Sequence, residues 1–254
     1  SSGHLLKTLR GRSDGLYTVA WSGNGRYLAS AGRDTTISVW DTRSWQKLYT
    51  LKGHKSRVWS VRFSPDSKLL ASSSNDRTVK VWDLSVGTLA YDLDEHQDWV
   101  TGVAFSHNGR WIASCGKSMR CQLWDYKLGT KIREFRGHRA WVNGVAFSPD
   151  DRTLVTSSDD RTIRFWSVDS GTAKLLYDTH KEIVGFALSP DSKSLLMGDG
   201  EDVVQIPITL TGLDPDPQKE LESAKKDAGI TLKGFRLELS HAQDPATPTP
   251  SKKQ

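Results

Sequence analysis

The amino-acid sequence predicts an all-β fold built from one repeated unit, and three observations support this prediction. Four tryptophans follow one another at a spacing of 42 residues: Trp40, Trp82, Trp124 and Trp166. The residues around them agree between copies, since 30–41 read SAGRDTTISVWD and 72–83 read SSSNDRTVKVWD. Each copy also contains short runs in which apolar and polar residues alternate. Units with a fixed period of this length bury their apolar faces only against neighbouring copies.

The second copy shows the pattern of one unit most clearly. Runs with a period of two residues predict four strands there, at 58–63, 68–72, 78–82 and 88–91. Turn residues separate these runs, such as the Ser-Pro-Asp-Ser that follows the first strand. Four short antiparallel strands per unit describe one blade of a β-propeller.

Two motifs recur at fixed places in these blades. Gly53-His54 and Gly137-His138 precede two of the four tryptophans, and Trp-Asp pairs stand at 40–41, 82–83 and 124–125. In these motifs and their spacing, residues 5–208 resemble the WD-repeat β-propeller family. The resemblance implies four clear blades and a fifth, degenerate blade.

The resemblance also implies a buried hydrogen-bonded tetrad in each blade, made of a His, a Ser or Thr, an Asp and the repeating Trp. Blades two and four contain all four members: His54, Ser72, Asp76, Trp82, His138, Thr156, Asp160 and Trp166. A buried indole N–H needs an acceptor, and a fully satisfied network makes the surrounding structure rigid. We therefore interpret these residues as structural, and we expect no catalytic residues among them.

The other three blades depart from this pattern. Blade one has Arg12 in place of the His, and blade three has Ser118 in place of the Asp. We expect the networks of these two blades to be weaker. In blade five Met197, Glu201 and Pro207 occupy the remaining tetrad positions, so this blade is identified by its strand pattern alone.

The start of the chain fits the inside of a blade. Residues 5–9 align with a fourth strand, and the Trp-Asp pair expected before them falls ahead of residue 1. WD-repeat propellers usually have about six to eight blades, and propellers as a class close with as few as about four. Two explanations therefore remain open. Either missing blades in the same full-length chain complete a larger ring, or the N-terminal strand completes blade five and closes a five-bladed ring.

The segment after blade five predicts a cap on the last blade. Asp216 as N-cap, Pro217 at the first helical position and Gly229 past the end predict a short helix. Residues 230–239 then predict a β-hairpin or one broken strand. The predicted divisions of the chain are propeller blades at 1–212, a capping helix and strands at 213–240, and a disordered tail at 241–254.

Composition limits the classes of function. The net charge is +5, and the excess lies in the repeats because residues 214–254 contain as many acidic as basic residues. No apolar run approaches the roughly 18 residues that span a membrane, and no signal segment opens the sequence. Cys115 and Cys121 make no disulfide framework, so we expect two buried thiols and a cytoplasmic location. The sequence contains no HExxH, GxSxG, CxxC or Gly-rich phosphate loop, so we expect no enzyme activity, cofactor or metal.

Candidate binding residues lie where loops of several blades should converge. In the family this top face carries the loop before the first strand and the loop between the second and third strands. The residues predicted to bind a partner there are Tyr17, Arg57, Trp59, Trp99, Arg139, Trp141 and Asn143. Tryptophan, tyrosine and arginine dominate the binding energy of protein interfaces.

The charges of these loops alternate around the predicted ring. Blade two is basic at Lys55 and Arg57, whereas blade three is acidic at Asp94 and Asp98. A surface that tracks phosphates should be uniformly positive, so nucleic-acid binding is the less favoured hypothesis. We expect a non-catalytic scaffold that binds a protein or peptide. The alternative is a docking or sensing region of a larger signalling enzyme, a kinase or an NTPase, to which family members are often fused.

Overall fold

The computed structural model of the chain describes residues 7–9, 15–179, 183, 185–189, 191, 193–199, 202–208, 230–233 and 236–239. Strands are the only regular elements in these ranges. Four sheets contain four antiparallel strands each, paired in the order in which they follow one another, and a fifth sheet contains three. The prediction of an all-β fold with four clear blades and one degenerate blade is confirmed.

The strands divide the chain into blades as follows. Blade one contains β1 (Leu16–Trp21), β2 (Tyr27–Gly32), β3 (Ile37–Asp41) and β4 (Lys47–Leu51). Blade two contains β5 (Val58–Phe63), β6 (Leu69–Ser74), β7 (Val79–Asp83) and β8 (Thr88–Leu93). Blade three contains β9 (Val100–Phe105), β10 (Trp111–Gly116), β11 (Arg120–Asp125) and β12 (Thr130–Arg136). Blade four contains β13 (Val142–Phe147), β14 (Thr153–Ser158), β15 (Thr162–Ser167) and β16 (Ala173–Asp178). Blade five contains β17 (Phe186–Leu188), β18 (Ser194–Asp199) and β19 (Asp202–Pro207).

The third strand of each blade shows why these residues form a buried sheet. In β7, Val79 and Val81 are fully buried and Trp82 is 2% exposed. β-Branched and aromatic side chains pack well on a pleated surface, which favours the strand conformation. The pairing of the third and fourth strands shifts by one residue at the repeating tryptophan in each of the first four blades. This recurring bulge gives the bulky indole the same position in every copy.

The apolar cores lie between blades and not within them. One core joins Ala29, Ile37 and Val39 of blade one to Val61 and Leu70 of blade two. Three further cores join blade two to three, three to four, and four to five in the same way. The first strands β1, β5, β9, β13 and β17 stand next to one another in this order. Each blade therefore depends on its neighbours for burial, as the repeat predicts.

One face of blade one is more exposed to solvent than the same face of the blades that follow it. Val61 of β5 is fully buried against blade one, whereas Val19, at the equivalent place in β1, is 60% exposed. Leu16 and Trp21 on the same strand are 53% and 57% exposed. In the described part of the chain, no blade covers this apolar face of blade one.

The structure tests only part of the predictions for the two ends of the chain. Blade five has three strands among the described residues, and residues 7–9 belong to no strand, so both explanations for ring closure stay predictions. β20 (Ile230–Lys233) and β21 (Arg236–Leu239) pair antiparallel, and this pairing agrees with the hairpin alternative. The predicted helix between Asp216 and Gly229 and the predicted tail at 241–254 lie outside the described residues. The three predicted divisions of the chain stay predictions.

Candidate functional site

The repeating tetrad of blade two forms a continuous buried network. Trp82 Nε1–H donates to Ser72 Oγ at 2.8 Å, and His54 Nε2 lies 2.7 Å from the same hydroxyl oxygen. His54 Nδ1 lies 2.8 Å from Asp76 Oδ2, which also accepts the backbone N–H of Lys55 at 2.8 Å. The network therefore joins the loop before β5 to the hairpin between β6 and β7.

Blade four repeats this arrangement atom for atom. Trp166 Nε1–H donates to Thr156 Oγ1 at 2.8 Å, and His138 connects that hydroxyl at 2.7 Å to Asp160 at 2.8 Å. Asp160 also accepts the backbone N–H of Arg139 at 2.8 Å. Because all the members serve one buried chain within one blade, the arrangement acts as a brace for the loop and the hairpin.

The two aspartates are held in their charged form. Burial alone would raise the pKa of Asp76, but hydrogen bonds from His54, Lys55 and Thr78 outweigh burial and keep the pKa well below its usual range. The pKa of Asp160 is lowered by the same balance, with His138 as the main donor opposing burial. Burial also lowers the pKa of His138, and Asp160 opposes this only in part. Carboxylates that accept several hydrogen bonds in a partly buried site behave in this way.

Blade three keeps the buried half of the network and lacks the other half. His96 Nε2 lies 2.6 Å from Ser114 Oγ, which also accepts Trp124 Nε1–H at 2.8 Å. His96 Nδ1 is buried and has no hydrogen-bond partner, because Ser118 stands where an aspartate stands in blades two and four. Burial, followed by the positive charge of Lys131, lowers the pKa of His96 to about 3. His96 is therefore neutral at physiological pH.

Blade one shows the longest contact of the series. Trp40 Nε1 lies 3.5 Å from Ser30 Oγ, compared with 2.8 Å in the blades that have a histidine beside the hydroxyl. Arg12, which replaces that histidine, lies outside the described residues. The hydroxyl of Ser30 is therefore farther from the indole N–H of its tryptophan than the equivalent hydroxyls of blades two to four.

The loop before the first strand and the hairpin between the second and third strands meet at one end of each blade, which we call the top face. Backbone hydrogen bonds join the two in four blades: Arg33 N–H to Gly15 O (3.1 Å), Asn75 N–H to Arg57 O (3.0 Å), Lys117 N–H to Trp99 O (2.9 Å) and Asp159 N–H to Trp141 O (2.9 Å). The turn of the hairpin also repeats, since all four blades have a positive φ at the same position, at Thr35, Arg77, Met119 and Arg161. The backbone framework of the top face is thus the same in blades one to four.

The predicted aromatic residues form two pairs on the top face, each of which joins neighbouring blades. Tyr17 and Trp59 stack with ring centroids 4.7 Å apart and planes 15° from parallel. Trp99 and Trp141 meet edge to face at 5.8 Å. Tyr17 is 39% and Trp141 is 38% exposed, so each pair presents ring surface to solvent. Partly exposed rings held by their neighbours lose little entropy when they bind.

A lysine accompanies the second pair. Lys117 Nζ lies 4.4 Å from the centroid of the Trp99 ring and 5.2 Å from that of Trp141. Both distances are within the range of a cation–π interaction, in which the negative face of the ring attracts the ammonium group. The Tyr17–Trp59 pair has no cation over it among the described contacts.

The remaining predicted residues lie beside these pairs. Arg57 is half-buried at the entrance of β5, and Arg139 is exposed before β13. The side-chain amide of Asn143 donates to Asp159 on the hairpin and to the carbonyl of Ile183. The structure therefore places all seven predicted residues on one end of blades one to four.

The sequence reasoning missed three residues of this face: Asn75, Lys117 and Asp159. They occupy the same position in the hairpins of blades two, three and four. Asn75 accepts the indole N–H of Trp59, and Asp159 accepts the amide of Asn143, but Lys117 turns to the tryptophan pair. An alignment of the hairpins on the 42-residue period, like that of the loops, would have found this column.

The two cysteines lie directly opposite each other on β10 and β11. Cys115 and Cys121 are paired residues of the antiparallel ladder, and both are buried free thiols. Burial raises the pKa of Cys121 well above its usual range, and a contact with Cys115 adds to this effect. A protonated buried thiol behaves as a small apolar side chain, and both cysteines belong to the core between blades three and four.

The opposite end of the first strands surrounds a cavity of about 430 Å³. Its lining includes Arg62, Phe105, Phe147 and Leu188, which lie at or near the ends of β5, β9, β13 and β17. Within the described ranges, no three His, Cys, Asp or Glu side chains are grouped as metal ligands. No described helix has the length and apolar character needed to cross a membrane.

Comparisons with known proteins agree with this architecture. The family model described as "WD domain, G-beta repeat" matches four stretches: residues 3–41, 45–83, 87–125 and 129–167. A protein of Gallus gallus that is one component of chromatin assembly factor 1 is 41% identical to this chain over 44 residues, and its Mus musculus counterpart is 36% identical over 44 residues. Each match covers 17% of this chain and 8% of the relative, about the length of one repeat. The four family matches together cover more than half of the sequence, and the chain therefore belongs to the WD-repeat family.

Proposed function

We propose that this chain is a non-catalytic interaction module that binds a protein or peptide through the top face of blades one to four. The observation that carries the proposal is the pair of inter-blade aromatic contacts, Tyr17–Trp59 and Trp99–Trp141, at the end where the loops converge. These rings stand outside the repeating tetrads.

The surroundings of the rings support a protein partner. Exposed aromatic residues with arginines beside them are typical of the centre of a protein interface. The top face mixes Lys55 and Arg139 with Asp94 and Asp98, and a mixture of charges suits a protein better than a nucleic-acid backbone. Membership of the WD-repeat family supports the same conclusion at the level of the class of function.

The relatives suggest where such a module could act. The name of the two matched proteins assigns them to a chromatin assembly factor, and a partner from a multiprotein assembly fits an interaction module. The match spans only one repeat, so the partner's identity rests on experiment. The two buried free thiols support a reducing compartment, and cytoplasmic location remains part of the proposal.

The test measures binding by a variant in which Trp59, Trp99 and Trp141 are all changed to alanine. A partner is first captured on the immobilised wild-type chain and identified, and its Kd is then measured with purified components by calorimetry. We expect the triple variant to lose about 100-fold or more in affinity, because truncation of a few central aromatic residues removes most of the binding energy of an interface.

A matched control removes three exposed apolar residues from the outer strands. Leu48, Leu89 and Ile132 lie on β4, β8 and β12 and are 41%, 42% and 45% exposed. Changing all three to alanine should leave the Kd within about twofold of the wild-type value, since they lie away from the top face. An unchanged Kd in the tryptophan variant, with its thermal unfolding intact, would show that the top face is not the binding site.

A further inference from the structure

The side chain of Lys117 occupies the pair that Trp99 of blade three forms with Trp141 of blade four. Its ammonium group lies over both rings, at 4.4 Å and 5.2 Å from their centroids, and no described carboxylate is within ion-pair distance of it. The contact therefore depends on the rings alone. Two aromatic faces turned towards one ammonium group make a site that accepts any cation of similar size and charge.

The hairpin that carries Lys117 is attached to the top face less firmly than the hairpins of blades two and four. In blade two three side chains tie the hairpin to the loop before β5 and to β5 itself. Ser74 Oγ donates to the carbonyl of Ser56 at 3.1 Å, Asn75 accepts the indole of Trp59, and Asp76 accepts His54 and the N–H of Lys55. Blade four has the same three ties at the same positions, through Ser158, Asp159 and Asp160.

Blade three has none of these three ties. Gly116, Lys117 and Ser118 replace Ser-Asn-Asp and Ser-Asp-Asp, so the hydroxyl, the amide or carboxylate partner and the bridging aspartate are all absent. What remains is the backbone bond from Lys117 N–H to Trp99 O and the contact of the ammonium group with the rings. A segment held by so few contacts opens at a lower free energy than its neighbours.

The loop of blade three places negative charge beside the tryptophan pair. The Asp98 carboxylate accepts the backbone N–H of Trp99 at 2.8 Å, which fixes a negative group beside the ring. Asp94 and Glu95 lie in the same loop, and Glu95 pairs with Lys131 at 3.1 Å. The loop of blade three is therefore acidic, whereas Arg136 and Arg139 lie next to and within the loop that carries Trp141.

From these contacts we infer that the Trp99–Trp141 pair is a binding site for a lysine-type ammonium group of the partner, and that Lys117 fills the site until the hairpin of blade three opens. Lys117 acts as an internal substitute for the ligand. Its withdrawal exposes two ring faces beside Asp98, and the partner's ammonium group takes the same position. The inference rests on the proposed function, which it sharpens by naming the chemical group that the partner presents.

The experiment uses n-butylammonium chloride, which carries the charged end of a lysine side chain and nothing else. It is titrated into the full chain at constant ionic strength, and the indole N–H signals are followed by NMR in the wild type and in Lys117→Met. We expect saturable shifts of the Trp99 and Trp141 signals in both proteins, with a Kd about tenfold lower in Lys117→Met because the competing ammonium group is gone.

Two controls separate cation recognition from other effects. Neutral n-butanol has the same apolar chain and should shift neither signal, and Trp141→Ala combined with Lys117→Met should abolish the response. The Trp59 signal serves as an internal reference, because its ring is stacked on Tyr17 and carries no cation. If Lys117→Met fails to fold, the wild-type titration decides alone, through displacement of the Lys117 side-chain signals.

The outcomes keep this inference distinct from the proposed function. Saturable binding of butylammonium, and not of butanol, supports the site whatever the partner affinity shows. Equal responses to the two compounds, or no response in either protein, would overturn the ammonium site even if the tryptophan variant lost its partner. The top-face proposal is judged separately, by the Kd of the triple tryptophan variant.

Discussion

Blades three and four share a backbone framework and differ in how their top hairpins are held. Both place a histidine, a hydroxyl and a tryptophan in a buried chain, and both join the hairpin to the loop by one backbone hydrogen bond. Blade four adds Asp160, which bridges His138, the N–H of Arg139 and Thr162. Blade three has Ser118 there and leaves His96 Nδ1 without a partner. The difference shows that a blade can keep the buried half of the network and form its four strands without the other half.

The largest expected effect on stability comes from removing Asp160, the carboxylate that bridges the hairpin and the loop of blade four. Asp160→Ala leaves His138 Nδ1 and the Arg139 N–H without their acceptor, and we expect a loss of about 3 kcal/mol in the free energy of unfolding. Ser118→Ala, at the same position in blade three, should cost less than about 0.5 kcal/mol, because this serine has no described hydrogen bond to lose. Denaturant unfolding of both variants measures the contrast. Equal losses in the two variants would show that the bridge contributes nothing to blade four.

A second prediction concerns the decrease in stability at acidic pH. The pKa of His96 is lowered to about 3 in the folded chain from an ordinary value near 6.5, so below pH 6.5 the unfolded state takes up a proton that the folded state does not. The stability is therefore complete above this pH and falls as the pH decreases, by about 1.4 kcal/mol per unit for this one group. Burial shifts the pKa of His138 in the same direction and adds to the loss. Unfolding measured from pH 7 to pH 4.5 should show this slope, and a flat profile would contradict the neutral, unpaired state of His96.

A third, smaller effect should follow from completing the network of blade three. Ser118→Asp gives His96 Nδ1 an acceptor at the place where Asp76 and Asp160 serve the other blades. We expect about 1 kcal/mol of added stability at neutral pH. The pKa of His96 should rise beside the new carboxylate, so the loss of stability between pH 6.5 and pH 4.5 should also be shallower than in the wild type. If the variant is no more stable and its pH profile is unchanged, the aspartate does not reach the histidine.

The fold followed from the sequence because the repeat constrains it at every level. The period placed Trp82 and Trp166 in equivalent cores, and the turn residues between them bounded the strands. The sequence also shows that blade three lacks the aspartate of the tetrad, because Ser118 stands at that position of the repeat. These features are local to one repeat, and the sequence shows them directly.

The tryptophan pairs and their lysine could not be predicted in the same way. Trp99 and Trp141 come from different blades, and their contact depends on how two blades pack together. Lys117 reaches them because it lacks the hydrogen-bonded partner that Asn75 and Asp159 have on their own blades. Contacts between copies depend on side-chain rotamers across an interface, and a period along one chain does not encode them.

The comparison between the blades is tested most directly by native-state hydrogen exchange at three equivalent amides. The N–H groups of Asn75, Lys117 and Asp159 each donate to the carbonyl of the loop on their own blade, at 3.0, 2.9 and 2.9 Å. Because the hairpin of blade three lacks the side-chain ties that hold those of blades two and four, Lys117 should exchange at least about tenfold faster than Asn75 and Asp159, after correction for intrinsic rates, which corresponds to an opening free energy lower by about 1.4 kcal/mol. Equal protection of the three amides would contradict the claim that this hairpin opens more easily than its neighbours.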